Sequence, residues 1–124
     1  MIEVNESDGV RVLRLAHGKA SALDLELVTA LEQAVARAVT DRVRALVLTG
    51  TGHIFCAGVD LFRVADGGAD YVARYLPAFA RLVFTLFGAE IPVVVAANGH
   101  AIAGGAVLVA AGDYRLMAAG EARF

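Results

Sequence analysis

The sequence predicts an α/β fold, and three observations carry that prediction. Short apolar runs alternate along the chain with segments of helical periodicity, as expected for strands joined by right-handed crossovers. Two of the runs, Ala45-Leu46-Val47-Leu48-Thr49 and Val93 to Ala97, are uncharged and read as buried strands. Two glycine-rich turns, forty-odd residues apart, each link an apolar run to a segment that can be helical.

In chain order, Glu3 to Glu6 and Val10 to Ala16 are expected strands around the turn Ser7-Asp8-Gly9. The second has near period-two patterning with an imperfect phase. Val10, Val12 and Ala16 alternate with Arg11, while Leu13 and Leu15 flank Arg14. His17 to Ala22 reads as a loop, and Asp24 can cap the helix after it. Leu27, Val28, Leu31, Ala34, Val35, Ala38 and Val39 recur at helical spacing, and that helix should end near Asp41. Arg44 to Gly50 is a strand and Thr51-Gly52-His53 a turn. Asp60 to Val64 is a short helix, and Asp66-Gly67-Gly68-Ala69 a loop. Asp70 to Phe87 is strongly periodic, with a break or kink expected near Pro77 and an end at Gly88. Val93 to Ala97 is the next strand and Gly104 to Ala111 a buried helix. Tyr114 to Ala119 is a strand, Gly120-Glu121 a turn, and Ala122-Arg123-Phe124 begins a further strand.

At 58% apolar and 19% charged, 124 residues should bury much of their surface and still leave apolar area uncovered. That points to an oligomer or to a longer parent chain. The stop at Phe124, without a cap or polar tail, favours the longer parent. A net charge of −2, with ten Arg and one Lys scattered, argues against a nucleic-acid partner. One cysteine excludes an internal disulfide and fits a cytoplasmic location. The acidic start, Met1 to Glu6, is not a signal peptide. Ile91 to Gly112 has no Asp, Glu, Lys or Arg, yet Pro92 and the polar Asn98-Gly99-His100 make a membrane span a poor reading.

Two phosphate motifs fail. Gly50-Thr51-Gly52 starts a dinucleotide fingerprint, but Phe55 takes the third glycine's place. Gly99 and Gly104 have P-loop spacing, but Gly105 stands where the lysine belongs. No paired Cys or His offers metal-ligand spacing, and no metal is expected. The glycine-rich turns suggest different chemistry. Each leaves backbone N–H groups free at a helix start, and two such turns facing each other can hold one oxyanion.

The residues of those turns resemble a known family. Phe55-Cys56-Ala57-Gly58-Val59-Asp60-Leu61, then Pro92 to Gly99, Ala103-Gly104-Gly105 and Asp113-Tyr114-Arg115 are together similar to the enoyl-CoA hydratase/isomerase, or crotonase, family. The match runs from Val10 to Phe124. It implies a ClpP/crotonase-like spiral of ββα units, of which residues 1–124 form the N-terminal part, with no internal domain boundary. It also implies a homotrimer or dimer of trimers acting on acyl-CoA. The implied oxyanion hole is the backbone N–H of Val59 and of Gly104. Ala57, Gly58, Asp60, Leu61 and Phe62 are implied to lie along coenzyme A. No separate cofactor is implied, because the thioester is the substrate.

One position departs from the hydratase pattern. The family's hydratases carry a glutamate three residues after the oxyanion glycine, and here that residue is Val107, which cannot move a proton. The sequence instead resembles the Δ3,Δ2-enoyl-CoA isomerase branch, which has an aliphatic residue there. Its single glutamate is implied to lie shortly beyond Phe124. The alternatives are a hydratase or acyl-CoA hydrolase with a different acid/base, and a non-catalytic acyl-CoA-binding homologue.

Other polar residues have plain readings beside functional ones. Arg63 can pair with a phosphate or be a solvated charge. Asp60 can orient substrate or cap a helix. His100 can move a proton, but a hydrogen-bonded loop role is simpler, as for His53. Asp113 is expected to fix a helix-to-strand junction. Cys56 has no evident base partner for a nucleophilic role. Glu121 matches a turn position without catalytic duty. Tyr71, Tyr75, Phe79, Leu82, Val83 and Leu86 are expected in core and acyl-pocket wall.

Overall fold

The computed structural model describes residues 1–124. Its strands are β1 (Ile2–Ser7), β2 (Val10–Leu15), β3 (Ala45–Thr49), β4 (Ile54–Cys56), β5 (Val93–Ala97), β6 (His100–Ala101) and β7 (Tyr114–Met117). Its helices are α1 (Leu25–Thr40), α2 (Leu61–Phe87) and α3 (Gly104–Ala111). Five strands form one sheet in the order β1-β2-β3-β5-β7, and β4 and β6 form a separate small one. Only the β1–β2 pair is antiparallel. Its hairpin turns at Asp8 (φ 53°) and Gly9 (φ 79°), the paired positive φ values that suit a tight hairpin.

One sheet face packs on the helices. Leu13, Leu15, Leu46, Leu48, Val93, Val95 and Ala97 join Leu27, Leu31, Val35, Leu82 and Leu86 in one core. The intervening Val12, Val47, Val94 and Ala96 are only half-buried. The apolar runs of β3 and β5 are therefore fully buried on one face, not two. The imperfect phase of β2 resolves the same way. Leu13 and Leu15 enter the core, while Arg11 reaches Glu6 and Asp41 at 2.9 and 3.0 Å at the rim.

Helix α1 matches its expectation. The Asp24 carboxylate accepts the Leu27 N–H at 2.8 Å, and Asp41 closes the far end. Helix α2 does not. The expected loop at 66–69 is a kink, with Gly68 at φ 64° and ψ −153° between two helical runs. No break occurs at Pro77. Pro77 and Ala73 are both exposed, so water can serve the backbone carbonyl that proline leaves without a donor. Gly88 ends the helix as expected. Strand β7 stops at Met117, and Ala122–Phe124 is not a strand. Arg123 makes two isolated bonds there, its carbonyl accepting the Ala101 N–H at 2.8 Å and its N–H donating to His100 Nδ1 at 3.0 Å. The partner strand β6 is only two residues long, too short to extend a ladder. No helix is long and apolar enough to cross a membrane.

Candidate functional site

Strands β4 and β6 place the site. They pair in parallel, with Ile54 opposite His100 and Cys56 opposite Ala101. The Ile102 N–H extends the pairing to the Cys56 carbonyl at 3.0 Å. The two glycine-rich turns that succeed these strands therefore lie side by side. Neither strand is legible in the sequence, because three- and two-residue strands have no measurable period.

The first turn runs Ala57 to Asp60. Gly58 sits at φ 86°, and a side chain there would put its Cβ 2.5 Å from the Ile102 carbonyl oxygen and 3.0 Å from the Gly104 nitrogen. Only glycine fits on both counts. The second turn ends at Ala103, whose φ of 49° and ψ of −111° are unusual for a residue with a side chain. Ala103 starts α3 without a side-chain cap.

A count of N–H groups defines what the turns offer. The Ala57 N–H donates to the Ala20 carbonyl at 3.0 Å, Gly58 to the Cys56 Sγ at 3.4 Å, and Asp60 to the Leu23 carbonyl at 3.2 Å. The Gly58 carbonyl accepts the Leu23 N–H at 2.7 Å. Val59 alone in this stretch has an N–H with no partner in the protein. Gly104, first residue of α3, is likewise unpaired, as are Ala103 and Ala106 on either side of it, whereas Gly105 and Val107 donate to the Ile102 and Ala103 carbonyls. Of these free donors, the Gly104 N–H is the one whose nitrogen lies against Gly58, the residue before Val59. The segment Ala20 to Leu23, which starts inside the expected loop His17 to Ala22, is a brace along the first turn. No periodic or compositional signal marks it.

The remaining residues fall into place around this pair. Asp60 caps α2, accepting the Phe62 and Arg63 N–H groups at 3.1 and 3.2 Å. Leu61 and Phe62 stand exposed at 72% and 90% beside Ala57 and Gly58 in the chain. Arg63 is not a free cation: it holds Glu26 through two bonds of 2.9 and 3.0 Å and lies over the Tyr71 ring. Those bonds push the Glu26 carboxyl below its ordinary range. Asp113 fixes its junction by accepting the Val93 N–H at 2.8 Å. His100 is a hydrogen-bonded residue, its Nδ1 taken by Arg123, and His53 is exposed. Cys56 is fully buried, and burial pushes its thiol up to about 11, so it is an inert nucleophile. Val107 is 41% exposed one turn into α3.

Tyr71, Tyr75, Leu82 and Leu86 are core residues, and Phe79 and Val83 are half-buried. Tyr71, Tyr75 and Phe79 stack with centroids 5.8 and 6.0 Å apart. A Cβ on Gly104 would lie 3.5 Å from the Phe79 ring, so α2 walls the second turn. The largest cavity, about 750 Å³, lies elsewhere, among His53, Asn98, Gly99, His100 and Glu121. It borders neither Val59 nor Gly104. No cluster of three or more His, Cys, Asp or Glu can hold a metal ion.

Comparison with known proteins identifies the family. The family model for enoyl-CoA hydratase/isomerase matches residues 5–124. The chain belongs to that family. It is 35% identical to the probable enoyl-CoA hydratase echA6 of Mycobacterium bovis, over 95% of this chain and 47% of that protein. It is 30% identical to the mitochondrial enoyl-CoA delta isomerase 1 of Mus musculus, over 95% of this chain and 42% of that one. The crystal structure of an enoyl-CoA hydratase/isomerase family protein from Pseudomonas syringae superposes with a TM-score of 0.91 at 30% identity, covering 98% of this chain and 52% of that one. The α/β fold is thus crotonase-like. The chain spans about half the length of the curated relatives it matches.

Proposed function

We propose that this member of the enoyl-CoA hydratase/isomerase family processes acyl-CoA thioesters by holding an enolate oxygen between the Val59 and Gly104 N–H groups. The observation that carries the reading is that the unpartnered Val59 and Gly104 N–H groups meet where the Gly104 nitrogen packs on Gly58, the residue before Val59. The start of α3 adds a favourable dipole for negative charge at Gly104. Ala57, Gly58, Asp60, Leu61 and Phe62 then line the coenzyme A portion, and the exposed apolar Leu61 and Phe62 suit its pantetheine.

The reaction we assign is isomerisation of a 3-enoyl-CoA to a 2-enoyl-CoA. A base removes a proton from C2, and the electrons left on C2 delocalise onto the thioester oxygen. The dienolate is stabilised by the two amides, and a proton returns at C4 as the C2–C3 double bond forms. Main-chain amides polarise the carbonyl, so the scheme uses no cofactor. Val107 supports isomerisation over hydration, because valine cannot activate water. The single carboxylate base belongs to sequence beyond Phe124 in the whole protein. Val107 also favours one rival, a non-catalytic acyl-CoA-binding homologue. The exposed, apolar edge of β7, with Tyr114 at 63% and Leu116 at 50%, suits further packing, by the rest of the whole protein or by a second copy in the trimer that the family resemblance implies.

The test is an assay of the natural-length protein on a 3-enoyl-CoA and on crotonyl-CoA. Isomerisation without hydration is the expected result. Hydration alone assigns a different acid/base, and tight thioester binding with neither activity assigns the binding homologue.

A further inference from the structure

One residue touches both turns of the site. The Cys56 Sγ accepts the Gly58 N–H at 3.4 Å and donates to the Ser21 carbonyl at 3.3 Å. The Cys56 carbonyl accepts the Ile102 N–H. A Cβ on Gly105 would strike that carbonyl and lie 3.0 Å from the Cys56 Cβ, so the first turn of α3 rests on Cys56. Ser21 is itself fixed: it is buried at φ 46°, and its hydroxyl accepts the His17 N–H at 3.2 Å. The next residues of the same segment anchor elsewhere. Leu23 pairs with Gly58 and Asp60, and Asp24 caps α1 while meeting His17 Nε2 at 2.6 Å.

Resting on the oxyanion reading above, we propose that Cys56 is a positioning residue: its thiol bridges the Ala20–Leu23 brace to the Gly58 peptide and so holds the Val59 N–H available for the thioester carbonyl. The peptide that carries the Val59 N–H begins at Gly58. The bond from the Leu23 N–H to the Gly58 carbonyl holds that peptide, and the thiol holds the one before it, whose N–H is that of Gly58, so the turn is fixed on both sides of the Gly58 Cα. Without the thiol, the Gly58 N–H is a buried donor with no acceptor, and glycine's backbone freedom lets the Ala57–Gly58 peptide turn to find one, which strains the neighbouring Gly58–Val59 peptide against its single remaining bond to Leu23. The thiol stays protonated at neutral pH because burial raises it, so it remains a donor to Ser21. The role is mechanical. Cys56 touches no reacting atom.

The test uses acetyl-CoA labelled with 13C at the carbonyl, bound at saturation to the natural-length protein. The carbonyl resonance should move downfield on the wild type, reporting polarisation by the two amides. Cys56→Ala should lose most of that shift while affinity for a carbonyl-free S-ethyl-CoA thioether stays within about twofold. Turnover should fall about tenfold or more in kcat, with KM little changed. Cys56→Ser, which keeps a donor and an acceptor, should recover part of both. Cys56→Val fills the space without hydrogen bonds and replaces the alanine variant should that variant fail to fold. A wild-type shift in the folded alanine or valine variant overturns the proposal. Absence of the shift in the wild type itself overturns the oxyanion reading, and the inference with it, so the two failures are told apart by which protein shows them.

Discussion

Val59→Pro isolates the main-chain donor from the fold. Proline removes the N–H and leaves every other hydrogen bond of the turn in place. At most positions nearby that change would cost structure. Proline at Ala57 would break the 3.0 Å bond to the Ala20 carbonyl, and at Asp60 the 3.2 Å bond to the Leu23 carbonyl. At Val59 no intramolecular bond is lost, because that N–H has no acceptor in the protein. The pairing of Leu23 with this turn runs through the Gly58 carbonyl and the Asp60 N–H and survives. Removing one oxyanion donor costs about 2.7–4 kcal/mol of transition-state stabilisation, or roughly 100- to 1,000-fold in kcat. The assay is steady-state isomerisation of a 3-enoyl-CoA, run beside thermal unfolding and binding of free coenzyme A. The expected result is a folded protein that binds coenzyme A normally and turns over at least about 100-fold more slowly. A folded Val59→Pro protein with kcat within about threefold of wild type would refute the reasoning.

Three further outcomes are expected from the same structure. Leu31→Ala removes a fully buried side chain of α1 and should lower unfolding free energy by about 2–5 kcal/mol in chemical denaturation. The raised thiol of Cys56 makes stability pH-dependent in alkali. The folded state disfavours the thiolate, so the unfolded chain loses its proton first, and stability falls between about pH 9 and 11 by up to about 3 kcal/mol. Burial also raises the Tyr75 hydroxyl, which adds an alkaline loss above about pH 10 in any variant, so denaturation curves over that range should show a larger loss in the wild type than in Cys56→Ser. Val107→Glu places a carboxylate on a 41% exposed position of α3, and should fold normally and add hydration of crotonyl-CoA to the activity profile.

How much of the fold and the site is legible in the sequence depends on the range of the interactions involved. Helix α1 is legible because its determinants are local: the Asp24 cap and a periodic apolar face that the core then confirms. The kink at Gly68 looks like a loop in sequence, since two adjacent glycines read the same whether they end a helix or bend it. Pro77 misleads in the opposite sense, because sequence does not show that its face of α2 is exposed. The Gly58 and Gly104 positions are legible only through a motif. Their meeting depends on the β4–β6 pairing, which joins residues more than forty apart through strands too short to have a pattern. The brace from Ala20 to Leu23 is invisible for the same reason: its bonds are to backbone, and backbone leaves no mark on composition. Arg63 has a side-chain identity that fits a phosphate, yet Glu26, thirty-seven residues away, takes both of its bonds.

The central claim is that the Val59 and Gly104 N–H groups receive one thioester oxygen. The most direct measurement is 1H–15N NMR of the protein titrated with acetyl-CoA and, separately, with the S-ethyl-CoA thioether. The account predicts that the Val59 and Gly104 amide signals move downfield with the thioester and stay near their free positions with the thioether. Equal movement with both ligands, or none at these two residues while coenzyme A binds, would contradict it.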